Sequence, residues 1–191
     1  MGHLITTAEE LAEAIITDPE RVAACLGRIH RFGGQVPHCT VLRHSLEVYH
    51  RIDADPDSSD AARLWALLHD AHEVLTGDVV RPFVNARLRM DQQEIDNAII
   101  RRLPLLVPLP DSISWQQVVA VDRAVGEWEM LEIRQGHAPY PFPEFLVVQG
   151  QRFSEVVRGG VPECPSVPEV YDWWQAWSRL VRELITIGGA A

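Results

Sequence analysis

Apolar residues recur at three- and four-residue spacing along most of the chain, and the breaks carry helix-start and helix-stop residues. Thr7-Ala8-Glu9-Glu10 has the order of a capping box, followed by the apolar stripe Leu11, Ile15 and Ile16. Asp18-Pro19-Glu20 supplies a cap, a first-turn proline and a first-turn acid for a second helix ending near Ile29. Arg31 to His38, with Gly33, Gly34 and Pro37, interrupts the period as a loop. Further helices are predicted over Val41–Ile52, Ala61–Leu75, Met90–Leu103, Ser112 or Ser114 to Arg134, and Glu169–Ile187. Asp53–Asp60 is a polar turn, and Gly77 ends the Ala61–Leu75 helix. Pro104–Pro110 is a connector because its three prolines forbid a continuous helix. A loop covers Pro139–Pro143, and a second connector holds Pro162, Pro165 and Pro168. Only Phe145–Val148 reads as a strand. The pattern predicts an all-α orthogonal bundle of about six to eight helices, in one domain over 1–191.

Composition narrows what such a bundle does. Hydrophobic residues form 47% of the chain, enough for one core. The net charge of −10 opposes a nucleic-acid groove. All 17 basic residues are arginine. A lysine Schiff base and a Walker-type phosphate loop are therefore excluded, and any anion clamp must use guanidinium, imidazole or backbone groups. Cys25, Cys39 and Cys164 form no CxxC pair and suggest no disulfide framework. No run of 18 apolar residues is present, so a cytoplasmic protein without a membrane partner is expected.

The chemistry concentrates in HDAHEVLTGD, residues 69–78. His69 and Glu73 stand one helical turn apart on an apolar element, with Asp70 beside them. Burying such a group without a partner costs on the order of several kcal/mol. A divalent cation is one such partner. His44 on an earlier helix and Asp122 on a later one would complete a set of two imidazoles and two carboxylates, which suits Zn, Mn, Co or Fe. Taken singly, each is unremarkable: His44 fits a half-buried histidine, Asp122 a surface acid and Arg31 a surface arginine. Glu127, Glu129 and Glu132 read as a solvated helix face, and His72 as solvated or pocket-lining. The aromatics Tyr171, Trp173, Trp174 and Trp177 read as core packing.

Three blocks, GRIHRFGGQVPHCTVLRHSLEV, LLHDAHEVLTGDVVRPF and VAVDRAVGEWEML, give the order RF-G-G, a helical His, HD-x-x-E with a following G-D, and a late Asp in an acidic helix. In that order, from about Arg28 to Glu132, the chain resembles HD-domain phosphohydrolases of the 5′-deoxynucleotidase type, and related phage enzymes that remove triphosphate from dATP. The resemblance implies the HD-domain fold and a divalent metal ion held by His44, His69, Asp70 and Asp122. It implies that Glu73 handles protons beside the metal and that Asp78 positions the sugar or orients the surroundings of Glu73. It places Arg31 on phosphate, Phe32 against the base and His38 near phosphate. Val84 stands where the family commonly carries lysine; Arg43, Arg81 and Arg87 are the cations available to replace it.

The expected substrate is a small deoxynucleotide and the expected reaction is release of phosphate from a deoxynucleoside monophosphate. Removal of triphosphate from a dNTP is the alternative, since both use the same metal set. A catalytically silent nucleotide-sensing domain is the third reading, opposed by the intact set of ligands and acids. Aromatics near the C-terminus permit a homo-oligomer.

Overall fold

A computed structural model describes residues 4–36, 38–103, 112–140, 172–173 and 175–180. Among these, seven α-helices form and no strand does. The all-α expectation therefore holds. Helix α1 (Ala8–Thr17) starts at the capping box read from sequence: the Glu10 N–H donates to Thr7 Oγ1 at 3.2 Å and Glu10 Oε2 accepts from the Thr7 N–H. Helix α2 (Pro19–Leu26) uses its proline in the first turn and ends at Gly27, a little before the expected Ile29. Thr40 caps α3 (Val41–Asp53) and Ser59 caps α4 (Asp60–Leu68), each accepting a backbone N–H of the first turn.

The predicted helix over Ala61–Leu75 does not run through. Regular α4 stops at Leu68, and a separate turn of helix, α5 (Glu73–Thr76), follows. The cause is local. In a continuous helix the Ala66 carbonyl would accept the N–H of residue 70, but here it accepts from the His69 ring at Nδ1, 2.9 Å away. The chain then tightens into three-residue bonds: Ala71 to Leu68, Glu73 to Asp70, and Val74 to Ala71. Gly77, at φ +70°, ends α5 with its N–H on the Glu73 carbonyl.

Helix α6 (Ala86–Arg102) begins at the Asn85 cap, earlier than the expected Met90, because the cap carries the signal there rather than an apolar stripe. Helix α7 (Ser112–Arg134) matches its expected span. The helices α3, α4 and α7 pack on one another, α1 packs on α6 and α2, and α5 touches α2 and α6. Leu42, Leu64, Leu67, Leu68, Ile99 and Val125 are among the side chains closed off from solvent at their centre.

Residues 172–173 and 175–180 are helical, and Trp173 and Trp177 stack with ring centroids 5.8 Å apart. Both are buried, and the Trp173 indole N–H donates to the Leu67 carbonyl at 3.3 Å. They pack in the core, so these two rings leave no exposed aromatic face for a second copy. The Pro104–Pro110 connector, the Phe145–Val148 strand, the proline connector at 162–168, Cys164 and most of the Glu169–Ile187 helix lie outside the described residues. Among the described residues no helix is long and apolar enough to cross a membrane.

Candidate metal centre

Three packed helix segments bring the expected ligands together. His44 projects from the first turn of α3, Asp122 from α7, and His69 and Asp70 from the tightened turn after α4. His44 Nε2 lies 2.9 Å from Asp122 Oδ1 and 3.8 Å from Asp70 Oδ2. His69 Nε2 lies 3.3 Å from Asp70 Oδ2 and 3.9 Å from Asp122 Oδ1. Ligand atoms about 2.1 Å from one cation stand roughly 3.0 to 3.4 Å apart when adjacent, so the four atoms nearly bracket one ion.

The donor chemistry fits as well. The Ala66 carbonyl can only accept, so His69 carries a proton on Nδ1 and Nε2 is the ring nitrogen turned to the cluster. Buried His69 Nε2 has no hydrogen-bond partner. At His44, Glu129 Oε1 faces Nδ1 at 3.1 Å while Asp122 faces Nε2, so acceptor oxygens stand at both ring nitrogens. A cation shared by Nε2 and Asp122 would leave each imidazole with one donor and one ligand nitrogen. His44, His69 and Asp70 form one group able to hold a metal, and Asp70, His72 and Glu73 form another that shares Asp70.

Charge in the site is uneven. Burial opposes ionisation of Asp70, but His69, His44 and Arg31 hold its carboxyl well below the ordinary range. Burial lowers and the carboxylates of Asp70 and Asp122 raise the His69 imidazole, with the net result pushed up to about 9. Glu73 goes the other way from a normal acid. Burial, then repulsion from Asp70 and Asp78, pushes its carboxyl up to about 9, and its Oε2 is buried without a partner. Asp78 is also raised, chiefly by burial, and its Oδ2 is likewise unpartnered.

The loop before α3 closes onto this cluster. An isolated antiparallel bridge joins His30 to Thr40, and the Arg31 N–H donates to the Cys39 carbonyl at 2.8 Å. Phe32, Gly33 and Gly34 all have positive φ, a costly state for a phenylalanine. The Phe32 backbone N–H lies beside Asp78 and lowers its carboxyl, which puts this turn next to the G-D pair. Phe32 is half-buried, with the Arg31 guanidinium 5.5 Å from its ring centroid. Arg31 itself points into the cluster, 3.5 Å from Asp70 and 3.1 Å from Glu129. His38, also at positive φ, contributes its carbonyl to Arg43 at 3.4 Å. His72 donates or accepts at Nδ1 with Asp96, 3.1 Å away.

One residue overturns its sequence reading. Glu129, expected on a solvated face with Glu127 and Glu132, has no exposed surface. It accepts from His44 at 3.1 Å, from the Arg31 guanidinium at 3.1 Å and from the Tyr140 hydroxyl at 2.6 Å. Glu127 is exposed as expected, and Glu132 is half-buried. The signal was available: Glu129 falls two helical turns after Asp122, with buried Val118 and Val125 on the same stripe.

No protein-family model matches the chain, and no curated protein matches it in sequence. The geometry of the site is thus the ground for any statement about its chemistry.

Proposed function

We propose that this chain is a metal-dependent phosphohydrolase of the HD type that releases phosphate from a deoxynucleoside monophosphate. The observation that carries the reading is the meeting of His44, His69, Asp70 and Asp122 beside a buried, unpartnered acid, Glu73. A divalent cation held by those four side chains supplies Lewis acidity toward a phosphoryl oxygen and lowers the pKa of water.

The chain's own residues do the rest. Burial and the charges of Asp70 and Asp78 push the Glu73 carboxyl up, and its buried Oε2 has no partner, so it is the group placed to move a proton. It hands a proton to the sugar oxygen as the phosphorus–oxygen bond breaks, the water oxygen takes the sugar's place on phosphorus, and Glu73 recovers the proton that the water gives up. Arg31 is the guanidinium beside both Asp70 and Glu129, where it offsets their charge and leaves the phosphate less repelled. Asp78 stands beside the Phe32 backbone, on the turn that presents the Phe32 ring to a base.

The test is a product assay on purified protein with Mn or Co, offering dAMP and dATP side by side. Inorganic phosphate from dAMP is the expected result. Triphosphate from dATP with dAMP untouched would move the assignment to a triphosphohydrolase. No product from either, with metal bound, would favour a nucleotide-sensing role or another phosphoester.

A further inference from the structure

We infer that Glu129 is a positioning residue for the metal centre: its carboxylate fixes His44 with the proton on Nδ1 and the Nε2 lone pair turned to the metal. This rests on the metal reading given above and adds a residue outside the four ligands to it.

Three observations support the assignment. First, Glu129 is completely buried, and a buried carboxylate on a helix is costly unless every lone pair is used. Here both oxygens accept: Oε1 from an imidazole and a phenol, with the Cys39 thiol 4.0 Å away, and Oε2 from a guanidinium. Its partners each turn an N–H or O–H toward it, so it stands there as an acceptor. Second, the partner at His44 is Nδ1, not Nε2, and Nε2 is the atom facing Asp122 and Asp70. An acceptor at one ring nitrogen leaves the other as the ligand, and a carboxylate acceptor raises its basicity. Third, the two ligand histidines are built alike. His69 spends Nδ1 on the Ala66 carbonyl, and His44 spends Nδ1 on Glu129. The backbone performs for one ring what a side chain from another helix performs for the other.

The same carboxylate joins two parts of the chain. Its Oε1 faces His44 and its Oε2 faces Arg31, which also reaches Asp70. The loop that carries Arg31 and Phe32 is thereby held in register with a ligand helix. Tyr140, at the far end of the described stretch after α7, closes the remaining side.

The experiment is a titration of the metal-free full chain with Co, read by its visible absorption, comparing wild type with Glu129→Gln, Glu129→Asp and Glu127→Gln. Helical content by circular dichroism is recorded for each. Folded Glu129→Gln should bind Co about 10- to 100-fold more weakly with a displaced absorption band. Glu129→Asp should recover part of the affinity, and Glu127→Gln, on the exposed side of α7, should match wild type. A folded Glu129→Gln with wild-type affinity and band overturns the inference while leaving the metal site standing. Wild type that binds no Co overturns both. Should the Glu129 variants fail to fold, nitrogen-resolved NMR of the Zn-loaded wild type decides: a His44 proton on Nδ1 supports the assignment, and metal on Nδ1 overturns it.

Discussion

The site has two halves built on opposite principles. On the α3–α7 side, His44 and Glu129 are closed to solvent, with both ring nitrogens of His44 and both carboxylate oxygens of Glu129 partnered. On the α5 side, Glu73 Oε2 and Asp78 Oδ2 are buried without partners, and both carboxyls are raised. The first half sits on regular helix and the second on tightened turns and a glycine break. A satisfied buried network fixes geometry, whereas an unsatisfied one leaves a group ready to move a proton. The metal half should therefore tolerate no change of shape, and the acid half no change of chemistry.

The largest effect that would test this contrast is loss of a candidate ligand from the α3–α7 side. His44→Ala or Asp122→Ala should lose bound metal, read by elemental analysis of dialysed protein, and turnover should fall to background. Either variant keeping one metal per chain would break the division into halves. Next comes Glu73→Gln, which keeps the shape of the side chain. Metal content should stay near wild type while turnover drops about 10²- to 10⁴-fold. Equal loss of metal and turnover would put Glu73 in the metal half instead.

A smaller effect concerns the loop that bridges the halves. Phe32→Ala should raise KM for dAMP about tenfold, the value of one base–aromatic stack, with kcat less affected. KM unchanged across nucleotides would remove the ring from the substrate. The smallest effect is on stability of the metal-free protein. Glu73 has a folded pKa of about 9 against an ordinary 4.5, so the folded state holds the proton over that window and the unfolded state does not. Below pH 4.5 both states are protonated and nothing is lost; as pH rises toward 9 the unfolded state is increasingly favoved relative to low pH. Thermal melts of metal-free protein should thus fall with rising pH in this window, and Glu73→Gln should flatten the slope.

Much of this was legible in the residues, and for identifiable reasons. The caps at Thr7, Thr40 and Ser59 act within one turn of themselves, so a local reading finds them. The four candidate ligands were legible from their types and order, and the structure brings them within reach of one another. The break after Leu68 was hidden because the residues around it keep helical spacing. It arises from a side-chain bond to the backbone, and periodicity carries no trace of that. The late start assigned to α6 has the converse cause, a cap whose helix lacks an apolar stripe at its beginning.

What the sequence determined by itself is therefore the all-helical class, most of the helix starts, and the set of side chains able to hold a metal. What only the tertiary structure decided is which of the acids are spent and which are left free. Glu127 and Glu129 are two residues apart on one helix; the apolar stripe turns Glu129 inward, but its partners are not written near it in the chain. Glu129 is buried because Arg31, 98 positions away, and His44, 85 positions away, close over it. Burial and charge pairing are properties of what packs against a group, and those partners come from distant parts of the chain.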